Sequence, residues 1–133
     1  RPRRHARNVA LAGVTGLAAS AALVWGLGMT GWEAGHATRY AETLMHEVAA
    51  NRNMPVADCM VAYDLARLGD FVWVRSRGTG RLLYCQVTDV SAPKDRARHV
   101  RANLLEADWA SARELCGDAF DGPWRECKVS ILR

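Results

Sequence analysis

Between Val9 and Trp32 the chain runs for 24 residues without a charged side chain (VALAGVTGLAASAALVWGLGMTGW). As a helix rising about 1.5 Å per residue, such a run spans the roughly 30 Å hydrocarbon layer of a bilayer, so a transmembrane helix over 9–32 is the expectation. A basic tail, residues 1–8 with Arg1, Arg3, Arg4 and Arg7, precedes it, and Glu33 follows it. That asymmetry predicts a cytoplasmic N-terminus and an exported C-terminal part, periplasmic or extracellular, with Trp25 and Trp32 at the outer headgroups. The rival reading is a cleavable signal peptide, whose apolar region usually has only about 7–15 residues before a small-residue cleavage site. Gly35-His36-Ala37 is the local candidate for that site. Small residues at Ala12, Gly16 and Ser20, and again at Ala18, Ala22 and Gly26, recur every four positions. This spacing lets membrane helices pack closely, which makes other membrane or envelope proteins candidate partners beside the lipid bilayer itself.

The chain has 133 residues, half of them apolar, which bounds it to one modest folded domain. Its 18 Lys and Arg exceed its 14 Asp and Glu by four, and the four tail arginines are that whole excess. Residues 33–133 therefore carry 14 of each sign. A nucleic-acid-binding domain needs a basic excess on its folded body, so DNA and RNA are excluded as expected partners.

Residues 33–52 place Tyr40, Leu44 and Val48 on one stripe with Met45 beside it, which predicts a short amphipathic helix, with a linker to residue 54. His46-Glu47 lacks the second His four residues on, since position 50 is Ala, so no zinc-protease motif is present. After Pro55 the texture turns to short β-rich runs. Phe71 to Val74 reads as a strand, Arg77 to Gly80 as a turn and Arg81 to Asp89 as the returning strand of a hairpin. Residues 93–101 read as a polar, basic loop. Asp108 is an N-cap for a helix from Trp109 to Leu115, with Cys116-Gly117 at its end, and Cys127 to Leu132 is a last strand.

Cys59, Cys85, Cys116 and Cys127 all lie on the expected exported side, where disulfides persist. No CxxC pair occurs, so neither a structural metal site nor a cofactor is expected. Three pairings are open. The preferred one joins Cys116 to Cys127 across the loop between helix and last strand, and Cys59 to Cys85.

Residues 59–132 resemble a double-psi β-barrel of the rare lipoprotein A, barwin and expansin type. The pieces that carry the resemblance stand in the family's order: Met60 to Gly69 before a turn, Phe71 to Arg75 as a strand, Gly80 to Asp89 as the returning strand, Cys85-Gln86-Val87-Thr88-Asp89 within it, Leu104 to Asp108 followed by the helix, and Lys128 to Leu132 at the close. The resemblance implies an all-β class: a six-stranded barrel over 55–133, preceded by the membrane helix and the amphipathic helix. Closure suits so small a domain, because it hides strand edges.

Cell-wall-cleaving members of that family use acidic groups in a groove, as a proton donor matched with a second carboxylate requires. The resemblance puts Asp89 on the family's acidic position and Glu106 where the second acid is normally Asp. The family's functional histidine falls near Tyr63, whose side chain is a poor base because a phenol ordinarily titrates near 10. For binding, Trp124 beside Pro123 and the basic residues Arg96, Arg98 and Arg101 are the candidates, while Trp73 reads as core. Three functions follow: a membrane-anchored, non-catalytic structural or binding subunit of an envelope assembly; a peptidoglycan-cleaving lytic transglycosylase-like enzyme; and a non-catalytic tether that binds peptidoglycan.

Overall fold

Six strands close into a mixed barrel in the order β1-β5-β2-β4-β3-β6. The strands are β1 (Trp32–Arg39), β2 (Met60–Ala62), β3 (Phe71–Ser76), β4 (Leu82–Asp89), β5 (Leu104–Ala107) and β6 (Cys127–Leu132). Among the described residues three short helices accompany them: α1 (Leu44–Asn51), α2 (Arg96–Ala102) and α3 (Trp109–Cys116). The computed structural model describes residues 31–40, 44–117 and 126–133. The basic tail, most of the expected membrane helix and Trp124 lie outside the described residues. Among the described residues no helix is long and apolar enough to cross a membrane.

The barrel interior follows from period-two alternation. Val72 and Val74 of β3 point inward, and Phe71, Trp73 and Arg75 point outward. Val61, Tyr63, Val87, Leu105, Val129 and Ile131 fill the same interior from the other strands. β3 and β4 form the expected hairpin, with Trp73 opposite Tyr84. Its turn needs Gly80, whose φ of 74° few side chains tolerate. β6 runs antiparallel to β3, with Trp73 opposite Leu132. Two parallel pairs, β1 with β5 and β2 with β4, complete the mixed sheet.

Both expected disulfides are formed. Cys59–Cys85 ties the lead-in to β2 onto β4, and Cys116–Cys127 ties the end of α3 to β6. Asp108 caps α3 as expected, accepting from the Ser111 amide at 3.0 Å. Its other carboxylate oxygen accepts from the Met60 amide at 2.8 Å. One side chain thus joins helix α3 to strand β2.

The N-terminal part differs from expectation. Residues 32–39 were expected to end a membrane helix and begin an amphipathic one, yet they are the strand β1, so the barrel takes its first strand from ahead of residue 55. Gly35 shows why: a Cβ there would lie 2.4 Å from the Asn103 carbonyl oxygen, so this backbone is pressed against the end of α2. The Asn103 side chain amide donates to the Ala34 carbonyl at 3.1 Å, and its Oδ1 accepts from the Tyr63 hydroxyl at 2.5 Å. Pairing with residues far along the chain overrides the local helical pattern. The amphipathic helix is shorter than expected, and it buries Met45 and Ala49 rather than the Leu44 stripe, with Leu44 left 44% exposed. Residues 96–102, expected to be loop, form α2, which buries His99 and ends on Asn103 in a left-handed conformation at φ 47°. Trp73 is 39% exposed rather than core.

Candidate functional site

The two carboxylates that the sequence singled out share one row across the sheet. Ala62 of β2 is the register partner of Asp89 on one side and of Glu106 on the other. The β2–β4 register shifts by one residue between Val61–Val87 and Ala62–Asp89, a bulge that brings Asp89 to the outer face although Val87 points inward, so both acids lie outward with Ala62. Two strand spacings put their Cα atoms about 10 Å apart. Between them the methyl of Ala62 is covered, because Met45 and Ala49 of α1 pack on Met60 and Ala62.

Asp89 is engaged on both oxygens. The Tyr40 hydroxyl donates to Oδ2 at 2.6 Å, and the Arg52 guanidinium donates to Oδ1 at 2.9 Å. Its side chain is only 15% exposed. Tyr40 follows β1 and Arg52 follows α1, so the carboxylate binds both flanks of the α1 segment to the end of β4. Burial raises the Tyr40 phenol well above its ordinary value, and the hydrogen bond to Asp89 raises it further. Tyr40 therefore stays a neutral donor across the physiological range.

Glu106 lies in a more crowded acidic environment. Burial pushes its carboxyl above the usual range; His99 opposes this, and Asp95, Asp64 and Asp89 add to it. Asp64 accepts from the Ser91 amide at 2.8 Å through Oδ1, while its buried Oδ2 has no hydrogen-bond partner among the described residues. The buried ring of His99 is held by Ser91 Oγ at 2.5 Å from Nδ1 and by the Arg98 guanidinium at 3.2 Å from Nε2. A guanidinium only donates, so in the neutral ring Nε2 accepts from Arg98 and Nδ1 donates to the Ser91 hydroxyl oxygen. Glu106 Oε1 stands 3.6 Å from the same Nδ1. Among the described residues, no group of three or more His, Cys, Asp or Glu is placed to hold a metal ion.

Tyr63 lies apart from this row. Its side chain points into the barrel, 1% exposed, and burial pushes its phenol up to about 12. It follows β2 directly and packs in the interior cluster, whereas Ala62 packs under α1. Arg96, Arg98 and Arg101 are exposed on α2, and Arg98 also reaches Asp95 at 3.5 Å. The structure thus unites the two acids and separates them from Tyr63. Sequence reasoning missed Tyr40, Arg52, Asp64, Ser91 and His99, none of which belongs to a local motif. It also missed the exposed ring cluster of Phe71, Trp73 and Tyr84, in which Tyr84 lies 4.8 Å from Phe71 and 4.5 Å from Trp73 between centroids.

No protein-family model matches the chain, and no curated protein matches it.

Proposed function

We propose that this chain is a non-catalytic double-psi β-barrel, anchored to the outer side of a membrane by the apolar segment ahead of β1, and that it serves as a structural or binding subunit of an envelope assembly. The observation that carries the non-catalytic reading is the occupation of Asp89: both oxygens are engaged, α1 covers the row between the acids, and Tyr63 faces the interior. The two parallel pairs within a closed six-stranded barrel support the double-psi topology. The two disulfides support an oxidising compartment, and the uncharged run over 9–32 supports the anchor.

The test is the set of proteins that co-purify with the full chain from its native membrane under mild detergent. The expected result is a defined set of membrane partners, lost when Gly16 and Gly26 are replaced by Leu to block close helix contact. Co-sedimentation of the full chain with peptidoglycan sacculi, in the absence of membrane partners, would instead favour the tether. The lytic reading is favoured by one observation, a carboxyl held toward its protonated form at Glu106 across from an ion-paired carboxylate at Asp89, the pairing that acid-assisted glycoside cleavage uses.

A further inference from the structure

The outward residues of β3 and β6, with Leu82 and Tyr84 at the start of β4, form an exposed face; farther along β4 the outward Gln86 and Thr88 are buried. Phe71, Trp73, Leu82 and Tyr84 are 39–51% exposed on that face, and Leu132 is the cross-strand neighbour of Trp73. Along the same strands, Arg75 stands opposite Leu82 and Ser130, and Arg77 takes a backbone bond from its amide to the Lys128 carbonyl at 3.0 Å. An apolar band of three rings and two leucines is thus continuous with a band of Arg75, Arg77 and Lys128. An exposed aromatic patch of this kind marks an interaction surface.

The position of the patch points to its occupant. The barrel closes between β6 and β1, and the Arg133 guanidinium donates to the Glu33 carboxylate across that seam. Trp73 is one strand beyond Leu132, so β3 stands two strands from β1 in the closed order. The start of β1 is where the uncharged run over 9–32 joins the barrel. Aromatic rings with basic side chains beside them are the pairing that seats a protein at the headgroup level of an anionic bilayer.

We propose that this face docks on the surface of an anionic lipid bilayer, with Phe71, Trp73 and Tyr84 at the headgroup boundary and Arg75, Arg77 and Lys128 toward lipid phosphates. The proposal rests on the membrane-anchored reading above. It fixes how the barrel is oriented: one side sits on the lipid, and the acidic side faces away from it.

Hydroxyl-radical footprinting of the full chain in vesicles of phosphatidylcholine and phosphatidylglycerol tests the docking, with the exposed Leu44 and Val56 as internal references. Each basic side chain near an anionic surface is worth about fivefold in occupancy. Oxidation of Phe71, Trp73 and Tyr84 relative to the references is expected to be lower by about fivefold or more than in a chain carrying Arg75→Glu and Lys128→Glu in the same vesicles. Equal oxidation of the two chains, both floating with the vesicles, overturns the docking while leaving the anchor standing. Failure of the parent chain to float overturns the anchor and the docking with it. Protection of the same rings by sacculi, or by raised protein concentration without lipid, also overturns the docking, in favour of a glycan or a second copy.

Discussion

Strand β4 passes through two faces of opposite character. Its first half presents Leu82 and Tyr84 among exposed rings and basic side chains, and its last residue, Asp89, is held by Tyr40 and Arg52 from either side of α1. The acidic side is closed on itself: Asp89 is spanned by Tyr40 and Arg52, and Asp64 is joined through Ser91 to His99. On the aromatic side Phe71, Trp73, Leu82 and Tyr84 are exposed. The lesson is that a carboxylate row alone does not make a groove. What packs over the row decides whether the acids are offered to a ligand or spent on holding the fold.

The largest expected effect comes from the bond that fixes β4 between those faces. Replacing Cys59 and Cys85 by Ser opens a loop of 26 residues and should cost about 3–4 kcal/mol in urea unfolding. The Cys116–Cys127 bridge closes only 11, and its loss should cost somewhat less, about 3 kcal/mol. Equal insensitivity to both would contradict the constraint assigned to them. Next comes Asp108→Ala, which removes a helix cap and leaves the buried Met60 amide unpaired. About 2–3 kcal/mol should be lost in the same measurement.

Paired hydroxyl deletions sharpen the comparison between the faces. Tyr40→Phe removes the 2.6 Å bond to Asp89 and should destabilise by about 1–2 kcal/mol. Tyr84→Phe on the open side should change stability by no more than about 0.5 kcal/mol. Similar losses at the two sites would erase the distinction. The smallest effect is a pH trend at Glu106. Its carboxyl holds a proton more tightly in the fold than in the unfolded chain, because burial disfavours the charged form. Its contribution to stability is therefore full below the ordinary Glu value of about 4.3 and is lost as pH rises through the higher folded value. Glu106→Gln, which cannot ionise, should gain on the parent chain as pH rises above the ordinary Glu value of about 4.3 in chemical unfolding. A pH-independent difference between the two would contradict the burial assigned to this carboxyl.

The C-terminal strands were legible because their signals are local. The hairpin carries alternating residues on either side of a Gly-containing turn, Asp108 stands directly before its helix, and β6 matches the expected run from Cys127 to Leu132. The resemblance brought Asp89 and Glu106 forward, but not their covering, since Tyr40 and Arg52 reach Asp89 from 49 and 37 residues away. β1 was hidden because Glu33 to Tyr40 has enough helical spacing to pass for a helix, and its strand character comes from β5, with His36 opposite Leu104. α2 was hidden for the opposite reason. Arg-Ala-Arg-His-Val-Arg-Ala has no apolar stripe, and its one buried side chain is the polar His99, held by Ser91 and Arg98. Trp73 was misread because alternation in Phe-Val-Trp-Val identifies two faces without saying which is inside. The barrel interior takes the slimmer valines.

The acidic row is either occupied by the fold itself or available to a glycan strand. Incubating the full-length chain with purified sacculi and measuring soluble muropeptides tests this most directly. No release above buffer is expected, with Asp89→Asn indistinguishable from the parent chain. Steady release by the parent chain that disappears in Asp89→Asn would contradict it.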